Sequence, residues 1–324
     1  MRLLLAAALA VAPAAAFAFD LQGHRGARGL APENTLAGFA EALRIGVTTL
    51  ELDLAMTQDG VPVVSHDPTL NPDLARNASG AWVSEPRPVI SRMTLAALQT
   101  YDVGRLKPDT AYGARYPAQK PADGERVPRL SDVFALAGKA GDDVRFNIEI
   151  KTDPRTPDLA PAPAAFADAV VRAVRDAGVA GRVTVQSFDW RSLVHIARTA
   201  PEIVTVCLTI QRGSSDNVGL GQPGASPWTA GLDVDEHGGS VPRLAKAAGC
   251  AVWSPNFNDL TPANLAEAKS LGMTVVPWTV NEPADLARLI AMGVDGLISD
   301  RPDLAREALS RAGLPLPPAR PVAP

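Results

Sequence analysis

From residue 19 onward, short runs rich in valine, isoleucine and leucine alternate with alanine-rich stretches whose apolar residues recur at helical spacing. That rhythm predicts repeated strand-helix units, and such units build a parallel sheet because each helix carries the chain back to the same end of the sheet. The predicted strands are 19–23, 48–53, 61–66, 144–150, 183–187, 203–208, 251–254, 274–278 and 294–299. The predicted helices are 35–45, 131–137, 162–177, 190–199, 241–248, 262–270, 283–291 and 303–312. Several strands end in a polar residue, among them His24, His66, Lys151 and Asn281. If the sheet closes as a TIM (β/α)8 barrel, those ends converge on one mouth and distant segments build one site. Nine strand segments compete for eight barrel positions. The turn Thr57-Gln58-Asp59-Gly60 marks a hairpin-like excursion in the second unit as one way to absorb the surplus, and the pattern alone does not say which segment is extra.

Two stretches break the rhythm. Residues 67–128 carry many proline, glycine and asparagine residues and all three tyrosines, which suits a structured excursion near the C-terminal mouth. Residues 211–239 are glycine-rich and contain Asp235-Glu236-His237. At the start, MRLLLAAALAVAPAAAFA has one arginine, a short apolar run and the small-x-small pattern Ala16-Phe17-Ala18. This reads as a signal peptide over residues 1–18, cleaved near Ala18, with an uncleaved anchor as the alternative. The expectation is a periplasmic or secreted protein with no stable membrane span, one barrel domain over 19–312, and a proline-rich tail over 313–324 lying outside the core.

The 324 residues include 31 Lys and Arg against 35 Asp and Glu, a formal charge of −4. No broad positive field exists to capture a polyanion, so nucleic acid is not an expected partner. The two cysteines, Cys207 and Cys250, are too few for a disulfide scaffold. Buried free thiols are the default expectation, with a bridge permitted by export.

Chemistry concentrates on two strands. In LELDLA, Glu51 and Asp53 share one face while Leu50, Leu52 and Leu54 occupy the other. Two carboxylates on an apolar strand need positive charge, from a divalent cation or from a bridge to Arg25 or Lys151. In NIEIKTD, Glu149 and Lys151 share a face. Adding Glu149 gives three carboxylates suited to one hard ion, calcium or magnesium, and no cysteine lies in a zinc-ligand spacing. Of four histidines, His24 in GHRG and His66 in SHD stand at strand ends, where near-neutral imidazoles suit proton transfer. His195 lies in a helical stretch and His237 in a loop, and both have blander readings. Arg25 offers a fork of donors for a phosphoryl group, Lys151 a compact charge, and Trp278 an apolar wall with Asn281 beside it. No phosphate-cradling glycine motif of the nucleotide-binding kind occurs.

These residues resemble the glycerophosphodiester phosphodiesterase family, within the barrel phosphodiesterases that include phosphatidylinositol phospholipase C. The matching pieces are HRGARGLAPENT at 24–35, ELDLAMTQDGVPVVSHDPTL at 51–70, NIEIK at 147–151, QSF at 186–188, and WTVNEP with GVDGLISDRP over 278–302. The resemblance implies a barrel and metal-assisted hydrolysis of a small-molecule glycerophosphodiester to glycerol 3-phosphate and an alcohol. It implies His24 and His66 as the paired histidines and Arg25 as the phosphate-contacting arginine, and it matches Lys151 to the family's lysine, whose charge suits substrate binding. Glu51, Asp53 and Glu149 are implied as ligands of the calcium or magnesium ion, and the long 67–128 excursion resembles the insertion of exported members. Glu33 is a candidate member of the mouth network, and Asn34 or Thr35 a helix cap. After HDPTL, Asn71-Pro72 replaces the usual arginine-containing continuation. The first nucleophile is water or the glycerol 2-hydroxyl, the latter favoured by proximity. Rival readings are a barrel phospholipase C or D acting on lysolipid or intact phospholipid, a sugar-phosphate isomerase, and a noncatalytic binding protein.

Overall fold

The computed structural model describes residues 19–324, so the leader expected over 1–18 lies outside the described residues. Nine strands form one sheet: β1 (Asp20–Gly23), β2 (Thr49–Met56), β3 (Pro62–Val64), β4 (Arg145–Ile150), β5 (Val183–Ser187), β6 (Val204–Thr209), β7 (Val252–Pro255), β8 (Thr274–Val275) and β9 (Gly296–Ser299). The helices are α1 (Leu36–Ile45), the short α2 (Leu95–Leu98), α3 (Leu130–Ala140), α4 (Pro163–Asp176), α5 (Trp190–Thr199), α6 (Val241–Ala247), α7 (Pro262–Ser270), α8 (Pro283–Met292) and α9 (Pro302–Arg311).

The order β8-β7-β6-β5-β4-β2-β1-β9 is parallel at each neighbouring pair. Its two ends meet where Asp295 N–H donates to the Val275 carbonyl (3.0 Å) and Ile298 N–H to the Pro277 carbonyl (3.0 Å). The sheet therefore closes as a (β/α)8 barrel with helices outside. The surplus segment is β3, which pairs only with β2, antiparallel, with Leu54 opposite Val64 and Met56 opposite Pro62. The segment predicted over 274–278 shortens to β8 because Pro277 has no N–H for the ladder.

Alternation along β2 sorts its side chains. Leu50, Leu52 and Leu54 are fully buried in the main core beneath the helices, which leaves Glu51 and Asp53 pointing into the barrel. A polar layer fills the interior at that level: Asn147 Nδ2 donates to Gln22 Oε1 and Gln186 Oε1, each at 2.8 Å. The 67–128 excursion carries a small core of its own, in which Leu70, Ile90, Leu98 and Val127 pack with Val63 of β3 and Ala55 of β2. The β2–β3 hairpin anchors this excursion beside the mouth. At the other end of the barrel the proline-rich tail packs Leu314 and Val322 on the main core, and Arg320 N–H donates to the Leu43 carbonyl at 2.8 Å.

Cys207 and Cys250 form a disulfide and not free thiols. Sequence separation gives no measure of approach in space. Here β6 and β7 are parallel neighbours with Cys207 opposite Trp253, and Cys250, just ahead of β7, comes within 5.8 Å of Cys207, Cα to Cα. The bridge closes a 43-residue separation, for which loop-closure entropy gives roughly 4 kcal/mol. Replacing both cysteines by alanine is expected to lower the unfolding free energy by about 2–4 kcal/mol in a urea titration. An unchanged midpoint would show that the bridge adds nothing to stability.

Candidate active site

The mouth begins at the turn after β1. A Cβ on Gly23 would lie 2.2 Å from the Gly26 carbonyl oxygen, and Gly26, at φ +87°, packs so that a Cβ there would lie 2.5 Å from Gly38 C. Only glycine fits both places, and the turn they permit holds Arg25 at φ +51°. Its backbone N–H then donates to Glu51 Oε2 (2.8 Å). Its guanidinium pairs with Asp53 (Nε to Oδ2, 2.9 Å) and Glu33 (Nη1 to Oε1, 2.7 Å). Glu33 also accepts from the Tyr112 hydroxyl of the excursion. Thr35 caps α1, its Oγ1 accepting from Gly38 N–H. Asn34 is not the cap: it stands at φ +55° and donates from Nδ2 to Asp53 Oδ2 at 3.0 Å.

The carboxylates meet because of strand register. Asp53 of β2 stands opposite Glu149 of β4, and Glu51 opposite Asn147. One ligand oxygen from each of Glu51, Asp53 and Glu149 can be chosen so that all lie within 4.8 Å of one another, and all three side chains are buried. Lys151, two residues beyond Glu149 on the same face, places Nζ 2.6 Å from Glu149 Oε1 and 3.1 Å from Asp53 Oδ1. Gln186 of β5 donates to Glu51 Oε1 at 2.7 Å. Of the two sources of positive charge open in the sequence, the bridges are seen: the acidic cluster is bridged to Arg25 and to Lys151.

Those bridges do not satisfy the cluster. With Glu33 counted, four carboxylates face the two cations Arg25 and Lys151, so without further positive charge not all four are favoured in the ionised form. Asp53 Oδ1 is buried without a hydrogen bond. Burial, reinforced by Asp53 and Glu149, pushes the Glu51 carboxyl well above the usual range. Burial likewise pushes Glu149 up to about 7, against the pull of Lys151. Against the cost of burial, Lys151 and Arg25 hold Asp53 well below it. An all-oxygen set that is short of positive charge fits one hard divalent cation.

Two imidazoles line the same cavity, a space of about 150 Å³ that also includes Arg25, Lys151 and Trp278 in its wall. His24 Nδ1 lies 2.6 Å from Asp300 Oδ1. Against burial, His24 and Arg28 hold Asp300 well below the ordinary carboxylate range, so it accepts only and the proton of a neutral His24 belongs on Nδ1. Burial, then the Arg28 charge, lowers the His24 imidazole to about 4. Its Nε2 is left as an acceptor, 3.9 Å from Glu51 Oε2. His66 repeats the pattern with Nδ1 2.7 Å from Asp67 Oδ1, and burial followed by the Arg25 and Lys151 charges lowers its pKa. Asn71, the departure after HDPTL, donates to Asp67 Oδ2 at 2.8 Å. Trp278 stands edge-to-face with Phe188, ring centroids 5.3 Å apart, and donates its indole N–H to the Ser254 carbonyl.

Several residues of this network escaped sequence reading. Arg28 binds Asp300 through Nε (2.8 Å) and Nη2 (3.1 Å), and Asn281, expected as a pocket contact, instead donates to Asp300 Oδ2 at 2.8 Å. Arg28 lies one helical turn past His24 in the same motif, and Asp300 follows the last strand just as His24 follows the first. Those two positions were the available signal, along with the buried Gln186 in QSF. His195 lies apart on α5, paired with Asp168 at 2.7 Å, and His237 does not line the cavity.

The glycerophosphoryl diester phosphodiesterase family model matches residues 24–304 of the chain. A glycerophosphodiester phosphodiesterase of Bacillus subtilis is 30% identical over 286 residues, 87% of this chain and 83% of that protein. One from Caldanaerobacter subterraneus is 28% identical, covering 90% and 97%. A crystal structure from Silicibacter pomeroyi, provisionally described as a glycerophosphoryl diester phosphodiesterase, superposes with a TM-score of 0.80 at 38% identity, covering 92% of this chain and 95% of that one. An Oleispira antarctica phosphodiesterase bound to its product sn-glycerol-3-phosphate shares the fold, with a TM-score of 0.64 at 20% identity and coverage of 91% and 98%.

Proposed function

The chain belongs to the glycerophosphoryl diester phosphodiesterase family, enzymes that hydrolyse glycerophosphodiesters to glycerol 3-phosphate and an alcohol, and we propose that it does so at this mouth with His24 and His66 as the proton-transfer pair. The observation that carries the reading is the meeting, in one cavity, of a charge-deficient carboxylate cluster with two imidazoles. Glu51, Asp53 and Glu149 would hold one calcium or magnesium ion. Such an ion, when bound, supplies Lewis-acid polarisation of a phosphoryl oxygen. Arg25, whose Nη2 stays uncommitted among the described residues, and Lys151 orient the phosphoryl group and stabilise the charge that develops on it. The neutral imidazole of His24, fixed by Asp300, accepts a proton at Nε2, and His66, in the protonated form that its hydrogen bond to Asp67 favours, donates one from Nε2 to the departing alcohol and is left neutral. Trp278 forms an apolar wall.

We take the glycerol 2-hydroxyl as the attacking group, because it is already bound beside phosphorus; this step gives a cyclic phosphate that water then opens. The enzyme works outside the cytoplasm, a reading supported by the leader-like residues 1–18 and by a disulfide of the kind that persists where conditions are oxidising. Incubation with glycerophosphocholine should release equimolar glycerol 3-phosphate and choline, and absence of glycerol 3-phosphate from it and from every other glycerophosphodiester tried would overturn the assignment. A substrate lacking the 2-hydroxyl should turn over at least about 100-fold more slowly if that group attacks. Unchanged turnover would hand the first step to water.

A further inference from the structure

The catalytic cavity is not closed on its outer side. It shares His66, Glu149, Lys151, Phe188 and Trp278 with a second cavity of about 690 Å³. This outer cavity is built by the loops after β4, β5 and β6 and by Arg115 of the excursion. Because His66 stands between the two spaces, a diester placed with its glycerophosphate inside directs its alcohol outward.

The wall of this outer space has spent most of its hydrogen-bonding capacity. Asp153 is occupied by Arg155 through paired bonds of 3.0 and 2.7 Å. Asn217 is used up by the Leu208 and Phe188 carbonyls and the Ile210 N–H. Thr152 donates to Asp189, and Asp67 accepts from His66 and Asn71. The polar side chains left over, Thr156, Ser215 and Arg115, are exposed. What the cavity offers is apolar surface from Phe188, Trp228, Trp278, Leu159 and Ile210, with one face of Trp228 covered by the Arg155 guanidinium at 5.1 Å. A polyol leaving group needs several donors and acceptors held in place, and in this wall the uncommitted ones are carried by those exposed side chains.

The geometry points to an alcohol with an alkyl or acyl body as the preferred leaving group, its chain lying along Trp228 and Leu159. This inference rests on the diesterase reading and specifies its substrate class. It is tested with a series of glycerophosphoryl esters of ethanol, butanol, hexanol and octanol, used below their micelle concentrations. The leaving-group chemistry is constant along the series, so only buried chain changes. Specificity, measured as kcat/KM from glycerol 3-phosphate release, should rise about two- to fourfold per methylene. In Trp228→Ala, and independently in Leu159→Ser, the rise should flatten, so that the loss on the octyl ester exceeds the loss on the ethyl ester by at least about tenfold. Turnover of every ester with no dependence on chain length, or the same rise in both variants, overturns this inference and leaves the diesterase reading standing. Release of no glycerol 3-phosphate from any ester or from glycerophosphocholine overturns the reading beneath it.

Discussion

Replacement of His24 by alanine is expected to lower kcat by about 10²–10⁴ with little change in KM, because the imidazole acts on a proton that moves only in the transition state. The structure narrows what else the change does. His24 sits at the end of β1 with little exposed surface, and its removal leaves Asp300 still paired with Arg28 and Asn281. No buried carboxylate is stranded, so the fold should survive, and a melting temperature near that of the parent would separate lost chemistry from lost structure. His66→Ala should produce a fall of the same size. His195→Ala is the internal control: that histidine is paired on α5 away from the mouth, and its variant should keep parental kcat. A folded His24→Ala enzyme with near-parental kcat would remove His24 from the mechanism.

The second large effect is expected at the acidic cluster, where two readouts part company. Glu51→Gln should reduce turnover by at least about 100-fold, since a lost Lewis acid withdraws several kcal/mol of transition-state stabilisation. Chelation of the parent should do the same, with recovery on adding calcium or magnesium. The melting temperature adds a test that does not depend on activity. Calcium or magnesium should raise it in the parent, because ligands that bind only the folded state stabilise it, and should raise it little in Glu51→Gln. Without metal the order should reverse. Glu51 is one of three neighbouring buried carboxylates, so its neutral isostere relieves desolvation and like-charge repulsion. A parent enzyme indifferent to chelation in both readouts would leave the carboxylate cluster as a purely structural network.

Much of this architecture was legible in the chain because its signals are local. The bounds of α5 and α7 and of β5 follow from periodicity, and the structure adds a cap at Thr261, whose side chain accepts from Asn264 N–H. Alternation alone assigned Glu51 and Asp53 to the face opposite three leucines. What stayed hidden depends on register and on contacts across the barrel. Nothing in the sequence says that Asp53 stands opposite Glu149, that Cys207 of β6 meets Cys250 just ahead of the neighbouring β7, or which of nine strand-like segments doubles back. Arg28 and Asp300 stayed hidden for the same reason. Each is an ordinary charged residue until the first and last strands are laid side by side, when 272 positions of separation become a hydrogen bond of 2.8 Å.

That last contact bears on when the enzyme becomes an enzyme. Asp300 follows β9, the final strand of the barrel, and the imidazole it steadies follows β1. As the polypeptide emerges during synthesis, His24, Glu33, Glu51, Asp53 and Glu149 all precede Asp300, the last of them by 151 positions, from 149 to 300. An unfinished or unsealed ring therefore holds its acidic groups while His24 lacks its Asp300 tether, and it is expected to stay inert until the two ends of the sheet join. Regain of turnover during refolding would thus time the sealing of the ring.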